Sequence, residues 1–297
     1  MIIKPNRLIL AFVFGVLSVC CAAQAQTIKL ASGREYIVDL PPSRGRGAPL
    51  LIVFHGGAQG AGHVRTYSGL SAPANARGYV VIYPSGTSGW AGFPTWNVGV
   101  CCGAALKRNV DDVGFAEAII ADAAQRFGIN QHRVFLTGIS NGAMLDYRIA
   151  AERPDLVAGI APIAGALVTR STALHGSVPI IDFHGDADTF VKYEGGVGRF
   201  SHALFRSVPE TLSLWAKQNG LGLTPKVTKL PDISPDGTRV ERYEFGDGKA
   251  PLVHYRVIGG GHNWPGRTST KFFGPVTHDI NANELMLDYF ASLPDRK

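Results

Sequence analysis

The stretch Arg133-Val-Phe-Leu-Thr-Gly-Ile-Ser-Asn-Gly142 decides the fold of this 297-residue chain. Its first half, residues 133–137, is β-branched and aromatic, which predicts a short buried strand. The following residues 143–152 are good helix formers without Gly or Pro, which predicts a helix. Between the two, residues 138–142 read G-x-S-x-G, the pattern of a sharp turn with an exposed serine at its apex. The sequence therefore predicts that Ser140 is a nucleophile.

A nucleophilic serine requires a general base and an acid that orients the base. With this kind of turn, the acid and then the base follow the serine along the chain. An apolar strand, residues 178–184, leads into Gly185-Asp-Ala-Asp188. We predict Asp188 as the orienting acid, because it stands far enough beyond the strand to return toward Ser140. Asp186 is the alternative, and its expected role is to support the turn.

The predicted general base is His262. It lies in the glycine-rich loop 259–266, directly after the predicted strand 253–258. A histidine among glycines at the end of a strand has little to pack against, which argues against a core position. His278, in a later loop, is the weaker alternative.

Acyl transfer also requires backbone N–H groups that stabilise the developing oxyanion. One donor is expected from Asn141, the residue after the nucleophile. The other is expected from the small-residue loop 55–60, which follows the predicted strand 50–54. We predict Gly57 as this donor, with Ala58 as the alternative.

The first 25 residues have the pattern of a secretory signal peptide. Lys4 and Arg7 precede an apolar run, residues 8–21, and Ala-Ala-Gln-Ala25 offers a cleavage site. We expect cleavage after Ala25 and a secreted or periplasmic protein without a membrane anchor. Residues 26–297 are expected to form a single catalytic domain.

Charge and cysteine content exclude several functions. The net charge is only +6, and the chain has no block of like charges, so we expect no binding to nucleic acid. Of the four cysteines, only Cys101 and Cys102 follow the signal peptide. Their spacing does not fit zinc, and no metal site is expected. A disulfide between these neighbours and two buried thiols both remain open.

Predicted strands and helices alternate along the chain. This order predicts an α/β fold with a mainly parallel central sheet covered by helices on both faces. Residues 221–251 are expected to form hairpin strands and loops. The predicted strands are 35–40, 50–54, 79–83, 133–137, 157–161, 178–184 and 253–258, and the predicted helices are 64–77, 110–127, 142–152, 208–219 and 281–292.

Seven motifs in order make the chain resemble the polyhydroxybutyrate-depolymerase family of esterases, which overlaps with the feruloyl and acetylxylan esterases of carbohydrate esterase family one. The motifs are Phe54–Gln59, Thr95–Gly103, Asn109–Phe115, Thr137–Met144, His184–Asp188, Ser207–Thr211 and Gly260–Gly266. The resemblance implies an α/β-hydrolase fold, a Ser140-Asp188-His262 triad and no cofactor. The chain departs from the family at Gly57, where many relatives have Cys. The chain also lacks the two cysteines of a tannase-like branch, one beside the serine and one beside the histidine, because Ile139 and Asn263 occupy those positions.

The resemblance also implies a substrate class. We expect a serine carboxylic-ester hydrolase that cleaves hydroxyalkanoate oligomers, with feruloyl or acetylxylan ester hydrolysis as the alternative. Trp96 and Trp264 are expected to flank the site, with Trp264 as a wall of the acyl pocket. A monomer or homodimer is expected. A peptidase and a non-catalytic binding protein on the same fold are the remaining alternatives.

Overall fold

The computed structural model describes residues 25–43, 45–90, 92–168, 173–246, 248–268 and 270–296. The strands are β1 (Gln26–Lys29), β2 (Glu35–Asp39), β3 (Ala48–Phe54), β4 (Val80–Pro84), β5 (Thr87–Ser88), β6 (Pro94–Thr95), β7 (Ile129–Ile139), β8 (Gly159–Ile163), β9 (Ile180–Gly185), β10 (Gly196–Val197), β11 (Leu204–Phe205), β12 (Lys226–Lys229), β13 (Arg239–Glu244) and β14 (Leu252–Ile258). The helices are α1 (Ala61–Ser68), α2 (Ser71–Ala76), α3 (Gly103–Lys107), α4 (Asp112–Phe127), α5 (Asn141–Glu152), α6 (Val208–Gln218) and α7 (Ala282–Ser292). Short 3₁₀ turns lie at Pro154–Leu156 and Lys271–Phe273.

One ten-stranded sheet organises the molecule, with the strand order β1-β2-β4-β3-β7-β8-β9-β14-β13-β12. The six central strands, which are β4, β3, β7, β8, β9 and β14, are parallel to one another. Antiparallel strands flank them at both edges. The structure therefore confirms the predicted mainly parallel sheet. It also confirms hairpin strands within residues 221–251, where β12 and β13 continue the sheet from β14.

Both faces of the sheet are buried, as predicted. Along β3, Leu50, Ile52 and Phe54 belong to one apolar cluster. The intervening Leu51 and Val53 belong to the other. This split follows from the two-residue period of a strand. Helices α4, α5 and α6 cover the first face, whereas α1, α2 and α7 cover the second.

Helix α4, which precedes the sharp turn at residues 138–142 (the elbow), has clear end signals in the sequence. The Asp111 side chain caps α4 by accepting a hydrogen bond from Gly114 N at 2.8 Å. At its other end Gly128 adopts φ 63°, the left-handed conformation that glycine tolerates best. These two signals place α4 within two residues of its predicted bounds.

The prediction of a single helix over residues 64–77 is wrong, because the chain forms two helices there, α1 and α2. Gly69 ends α1 with φ 59°. The guanidinium of Arg267 lies where a side chain at Gly69 would project, 2.5 Å from the position of a β-carbon. A residue in the left-handed conformation ends an α-helix, and the sequence analysis did not assign this role to Gly69.

The predicted signal peptide lies outside the described residues, apart from Ala25. Within the described part of the chain, no helix combines the length and the apolar character needed to cross a membrane.

Candidate active site

Ser140 lies at the junction of β7 and α5, where the chain turns sharply. Its backbone has φ 58° and ψ −120°, a conformation that costs energy for a residue with a side chain. The N–H of Ser140 donates to Ile163 O at 2.9 Å, at the end of the neighbouring strand β8. The Ser140 carbonyl accepts from Met144 N at 3.0 Å, in the first turn of α5. The serine is thus held at the carboxyl end of a central strand, where parallel sheets place their sites.

The two glycines of the turn allow α5 to approach strand β3 closely. A β-carbon on Gly142 would lie 2.7 Å from His55 O and would also contact Phe54 O. A β-carbon on Gly138 would lie 2.8 Å from Phe54 O. Both neighbours are backbone atoms that cannot move aside, so a side chain at either position would displace Ser140.

Asp188 and His262 form a buried pair in the loops after β9 and β14. Asp188 Oδ2 lies 2.6 Å from His262 Nδ1. The other carboxylate oxygen, Oδ1, accepts from Phe190 N at 2.7 Å and Val191 N at 3.0 Å. Since Oδ2 is an acceptor, Nδ1 carries a proton, and in the neutral form of the ring Nε2 has the free lone pair. Burial raises the pKa of Asp188, but the charge of His262 and hydrogen bonds from His184 and His262 outweigh burial and hold this pKa well below its usual value.

The alternatives for the acid and the base lie in other environments. Asp186 accepts from Gly259 N at 2.7 Å and from Arg256 Nε at 3.1 Å, so it ties the two loops together. His278 lies beside Asp236, and its backbone N–H donates to that carboxylate at 2.7 Å. Asp188 and His262 are the pair that the structure brings together.

A second histidine, His184, lies behind Asp188 and was assigned no role from the sequence. Its Nε2 lies 3.4 Å from Asp188 Oδ2 and 2.7 Å from Val191 O. Its Nδ1 lies 3.1 Å from Gly165 O. Burial lowers the pKa of His184, yet its interactions with Asp188 dominate and raise it overall. With an acceptor at each ring nitrogen, His184 is held in place beside the same carboxylate oxygen that His262 contacts.

Gly57 and Asn141, the two proposed oxyanion donors, are close neighbours and line the same cavity. A β-carbon placed on Gly57 would lie 3.9 Å from Asn141 Cβ. The alternative donor, Ala58, already donates its N–H to Pro94 O at 2.9 Å. No residue in the described ranges accepts from Gly57 N. Of these two backbone N–H groups, only that of Gly57 has no acceptor among the described residues.

His55 holds the loop that carries Gly57. Its Nδ1 lies 2.7 Å from Gly56 O, and its Nε2 accepts from Gly86 N at 2.9 Å. The ring also packs against Trp96, with 4.6 Å between the ring centroids. Burial lowers the pKa of His55 to about 4, so the ring is neutral at pH 7.

The expected roles of Trp96 and Trp264 are corrected by the structure. Both side chains are completely buried. The Trp96 indole N–H donates to His55 O at 2.8 Å, and that of Trp264 donates to Asn283 Oδ1 at 2.8 Å. A buried indole requires a partner for its N–H, and both rings find one inside the core rather than at the cavity beside Ser140.

An open cavity of about 1250 Å³ lies over Ser140 and His262. Six of the described residues that line it are phenylalanines, which the sequence did not single out. Phe190 stacks on the His262 ring at 4.9 Å, with 20° between the planes. Phe190 also contacts Phe272 and Phe273, each at 5.3 Å. These phenylalanines, and not Trp96 or Trp264, give the cavity its aromatic surface.

Cys101 and Cys102 are joined by a disulfide and line the same cavity. Their loop is attached to the elbow, because Cys102 N donates to Trp96 O at 3.1 Å and Trp96 N donates to Asn141 Oδ1 at 2.8 Å. Among the described residues, no group of three or more His, Cys, Asp or Glu side chains is arranged so that it could hold a metal ion.

A second buried carboxylate–imidazole pair lies on the same two strands. Asp182 and His254 are directly paired in the register of β9 and β14, and Asp182 Oδ2 lies 2.7 Å from His254 Nδ1. Tyr147 and Tyr193 complete this network, which is fully buried and does not line the cavity. Its geometry satisfies polar groups within the core.

Comparisons with known proteins agree with this fold. Residues 113–210 match the family described as Phospholipase/Carboxylesterase. The chain is 30% identical over 242 residues to the putative esterase NocK of Nocardia uniformis subsp. tsuyamanensis, covering 76% of this chain and 68% of the relative. Among solved structures, the acetyl xylan esterase from Aspergillus awamori superposes with a TM-score of 0.64 at 16% identity, over 90% of this chain and 99% of that one. This superposition confirms the α/β-hydrolase fold.

Two other relatives are larger proteins. Feruloyl esterase B of Piromyces equi is 28% identical, over 77% of this chain and 42% of the relative. Poly(3-hydroxyalkanoate) depolymerase C of Paucimonas lemoignei is 24% identical, over 76% of this chain and 57% of the relative. The chain therefore spans about half the length of each of these two.

Proposed function

The chain belongs to the α/β-hydrolase serine esterases, and from this premise we propose that it cleaves hydroxyalkanoate oligomers with Ser140, His262 and Asp188 as its catalytic triad. One observation carries the proposal. Ser140, His262, Gly57 and Asn141 all line one cavity, and six of the other described residues that line it are phenylalanines.

The proposed mechanism has two steps. His262 Nε2 takes the Ser140 proton as the hydroxyl oxygen attacks the ester carbonyl, and the backbone N–H groups of Gly57 and Asn141 stabilise the oxyanion. The tetrahedral intermediate collapses, and the alcohol leaves with the proton from His262. Water, deprotonated by His262, then attacks the acyl-enzyme and releases the acid. Asp188 holds His262 in the tautomer that both steps need.

The walls support an oligoester as substrate. A hydroxybutyrate chain presents methyl and methylene groups with ester oxygens, and it has few hydrogen-bond donors that would need partners. Phe190, Phe205 and Phe273 offer apolar surface to such a chain. A cavity of about 1250 Å³ is larger than typical small-molecule sites of roughly 300–1,000 Å³, which leaves room for more than one hydroxyacyl unit.

A feruloyl ester is the second candidate, because of the stacking of Phe190 on His262. A flat aromatic acyl group can pack against this ring and Phe273 beside the reacting carbonyl. Feruloyl esterase B of Piromyces equi is among the relatives.

We also propose that residues 1–25 direct export. This part of the proposal is supported by the basic, apolar and small-residue segments in that order. Mass spectrometry of the secreted protein would test it, and a mature chain that begins at Gln26 is the expected result.

Parallel hydrolysis assays on soluble 3-hydroxybutyrate trimer and methyl ferulate test the substrate proposal, with Ser140→Ala as the control. We expect a higher kcat/KM for the trimer and loss of both activities in the variant. A higher kcat/KM for methyl ferulate would replace the proposed substrate with the second candidate. Full activity in Ser140→Ala would overturn the proposed triad.

A further inference from the structure

The charged side chains that line the described part of the cavity are all positive. Among the described residues that line it, none is Asp or Glu, whereas Arg199 and Lys107 are cationic. Asp188, which orients His262, is buried behind the imidazole and does not line the cavity. A ligand that enters the cavity therefore meets positive charge without a competing carboxylate.

Arg199 lies over three phenylalanine rings that line the cavity. Its Cζ lies 5.3 Å from the centroid of Phe190, 5.5 Å from that of Phe200 and 5.8 Å from that of Phe272. All three distances are within the range of a cation–π contact. The aromatic rings thus support the guanidinium without neutralising it.

The hydrogen-bonding edge of Arg199 is largely unused. Its Nη1 donates to Thr189 Oγ1 at 3.3 Å, a neutral acceptor. In the described part of the chain Arg199 has no carboxylate partner, although most other arginines do. A guanidinium with its remaining N–H groups unpaired is suited to bind a carboxylate through two parallel hydrogen bonds.

Phe190 connects this cation to the reacting groups. The same ring stacks on His262 at 4.9 Å and lies 5.3 Å from Arg199 Cζ. The distance from Arg199 Cζ to the centroid of the His262 ring is therefore no greater than the sum of these two distances. A short substrate can contact Ser140 with its ester and Arg199 with a charged end.

We propose that Arg199 binds a carboxylate on the alcohol side of the scissile ester, so that the preferred substrates are short hydroxyalkanoate oligomers with a free carboxyl end. This inference rests on the proposed function. In such an oligomer, every ester bond has the free carboxylate on its alcohol side. When the acyl C–O bond breaks, the leaving hydroxy acid takes the proton from His262 and keeps its carboxylate on Arg199.

The contact acts on binding rather than on the chemical step. The carboxylate has the same charge in the bound substrate and in the transition state, so Arg199 stabilises both equally. Uniform binding of this kind lowers KM and leaves kcat nearly unchanged. Because Arg199 is exposed, salt also screens its attraction for the carboxylate.

The test compares 3-hydroxybutyrate trimer as the free acid with the same trimer as its methyl ester. For the natural protein we expect a KM roughly tenfold lower for the free acid than for the methyl ester. A charge-assisted hydrogen bond produces a difference of this size. This difference should shrink as NaCl is raised from 20 mM to 500 mM. In Arg199→Gln the ratio of the two kcat/KM values should fall close to one.

Matched variants separate this contact from general charge effects. Arg108→Gln removes an exposed arginine that does not line the cavity, and we expect its ratio to equal that of the natural protein. Arg199→Lys keeps the charge but loses the planar pair of donors, and an intermediate ratio is expected.

The contrary outcomes are distinct. Equal KM values for free acid and methyl ester in the natural protein, or an unchanged ratio in a folded Arg199→Gln variant, would overturn the role of Arg199 and leave the proposed function standing. If the protein hydrolyses neither trimer but hydrolyses methyl ferulate, the proposed function fails, and this inference fails with it.

Discussion

The side-chain amide of Asn141 forms two hydrogen bonds with the main chain of Trp96. Asn141 Oδ1 accepts from Trp96 N at 2.8 Å, and Asn141 Nδ2 donates to Trp96 O at 3.1 Å. Asn141 is the first residue of α5 and follows the proposed nucleophile. This pairing therefore fixes the start of α5 against the loop that continues to Cys101 and Cys102.

Replacement of Asn141 by Ala is expected to reduce both stability and turnover. The Trp96 N–H would lose its partner in the buried interior, whereas Trp96 O would keep the bond from Cys102 N. One orphaned buried group costs about 2 kcal/mol. Urea unfolding and kcat on a soluble ester measure the two effects. Unchanged values for both would show that the pairing does not position the elbow.

Asp188 and Asp186 offer a matched pair of substitutions. Asp188→Asn keeps the shape but favours the wrong His262 tautomer, so we expect kcat to fall by roughly 10³–10⁴. Asp186→Asn retains an acceptor for Gly259 N, and we expect kcat within about tenfold of the natural value. Steady-state assays on both variants provide the comparison. The reverse ranking would assign the orienting role to Asp186.

Gly57 and Gly142 should respond differently to Ala. The position of a β-carbon on Gly57 is open apart from Asn141 Cβ at 3.9 Å, so Gly57→Ala should fold and remain active. A β-carbon on Gly142 meets the backbone of strand β3, and Gly142→Ala should destabilise the fold by about 2 kcal/mol or more and disturb Ser140. Thermal unfolding and ester hydrolysis test both. Equal tolerance of the two substitutions would contradict the described close approach.

His55 is expected to make stability depend on pH. The unfolded chain takes up a proton near the ordinary pKa of 6.5, whereas burial lowers the folded pKa to about 4. Between these values the unfolded state binds more protons, so the stabilisation present above pH 6.5 is lost as the pH falls through 4. The loss amounts to ~3 kcal/mol.

Urea unfolding at pH 7 and pH 4.5 measures this effect. His55→Gln should flatten the pH dependence of the free energy of unfolding, because the variant has no group to protonate there. The exposed His175→Gln serves as a control and should preserve the slope. A slope that is the same in His55→Gln and in the natural protein would show that other groups cause it.

Local sequence signals were sufficient for the elements that carry the site. The β-branched run before Ser140, the helix formers after it and the caps of α4 are properties of neighbouring residues, so the pattern alone predicted them. Asp188 and His262 could be proposed as acid and base because each follows a recognisable strand. The pairing of these two was then a consequence of sheet order, since β9 and β14 are adjacent and parallel.

The walls of the cavity could not be predicted in this way. Trp264 is two residues from His262 in the chain, but its ring packs against Tyr67 and binds Asn283 of α7. Phe190 and Phe272 are 82 positions apart and meet only through tertiary packing. Closeness in sequence fixes where a backbone runs, whereas the direction of a side chain depends on which neighbours satisfy it.

Labelling with a fluorophosphonate probe tests the central claim most directly, because the probe reacts with a serine only when a base activates it. Intact-mass measurement and peptide mapping would be carried out on the natural protein, Ser140→Ala and His262→Ala. We predict one adduct per chain, on Ser140, absent in Ser140→Ala and slowed by roughly 10³-fold or more in His262→Ala. Full labelling of Ser140→Ala, or a folded natural protein that the probe does not label, would contradict Ser140 as the nucleophile.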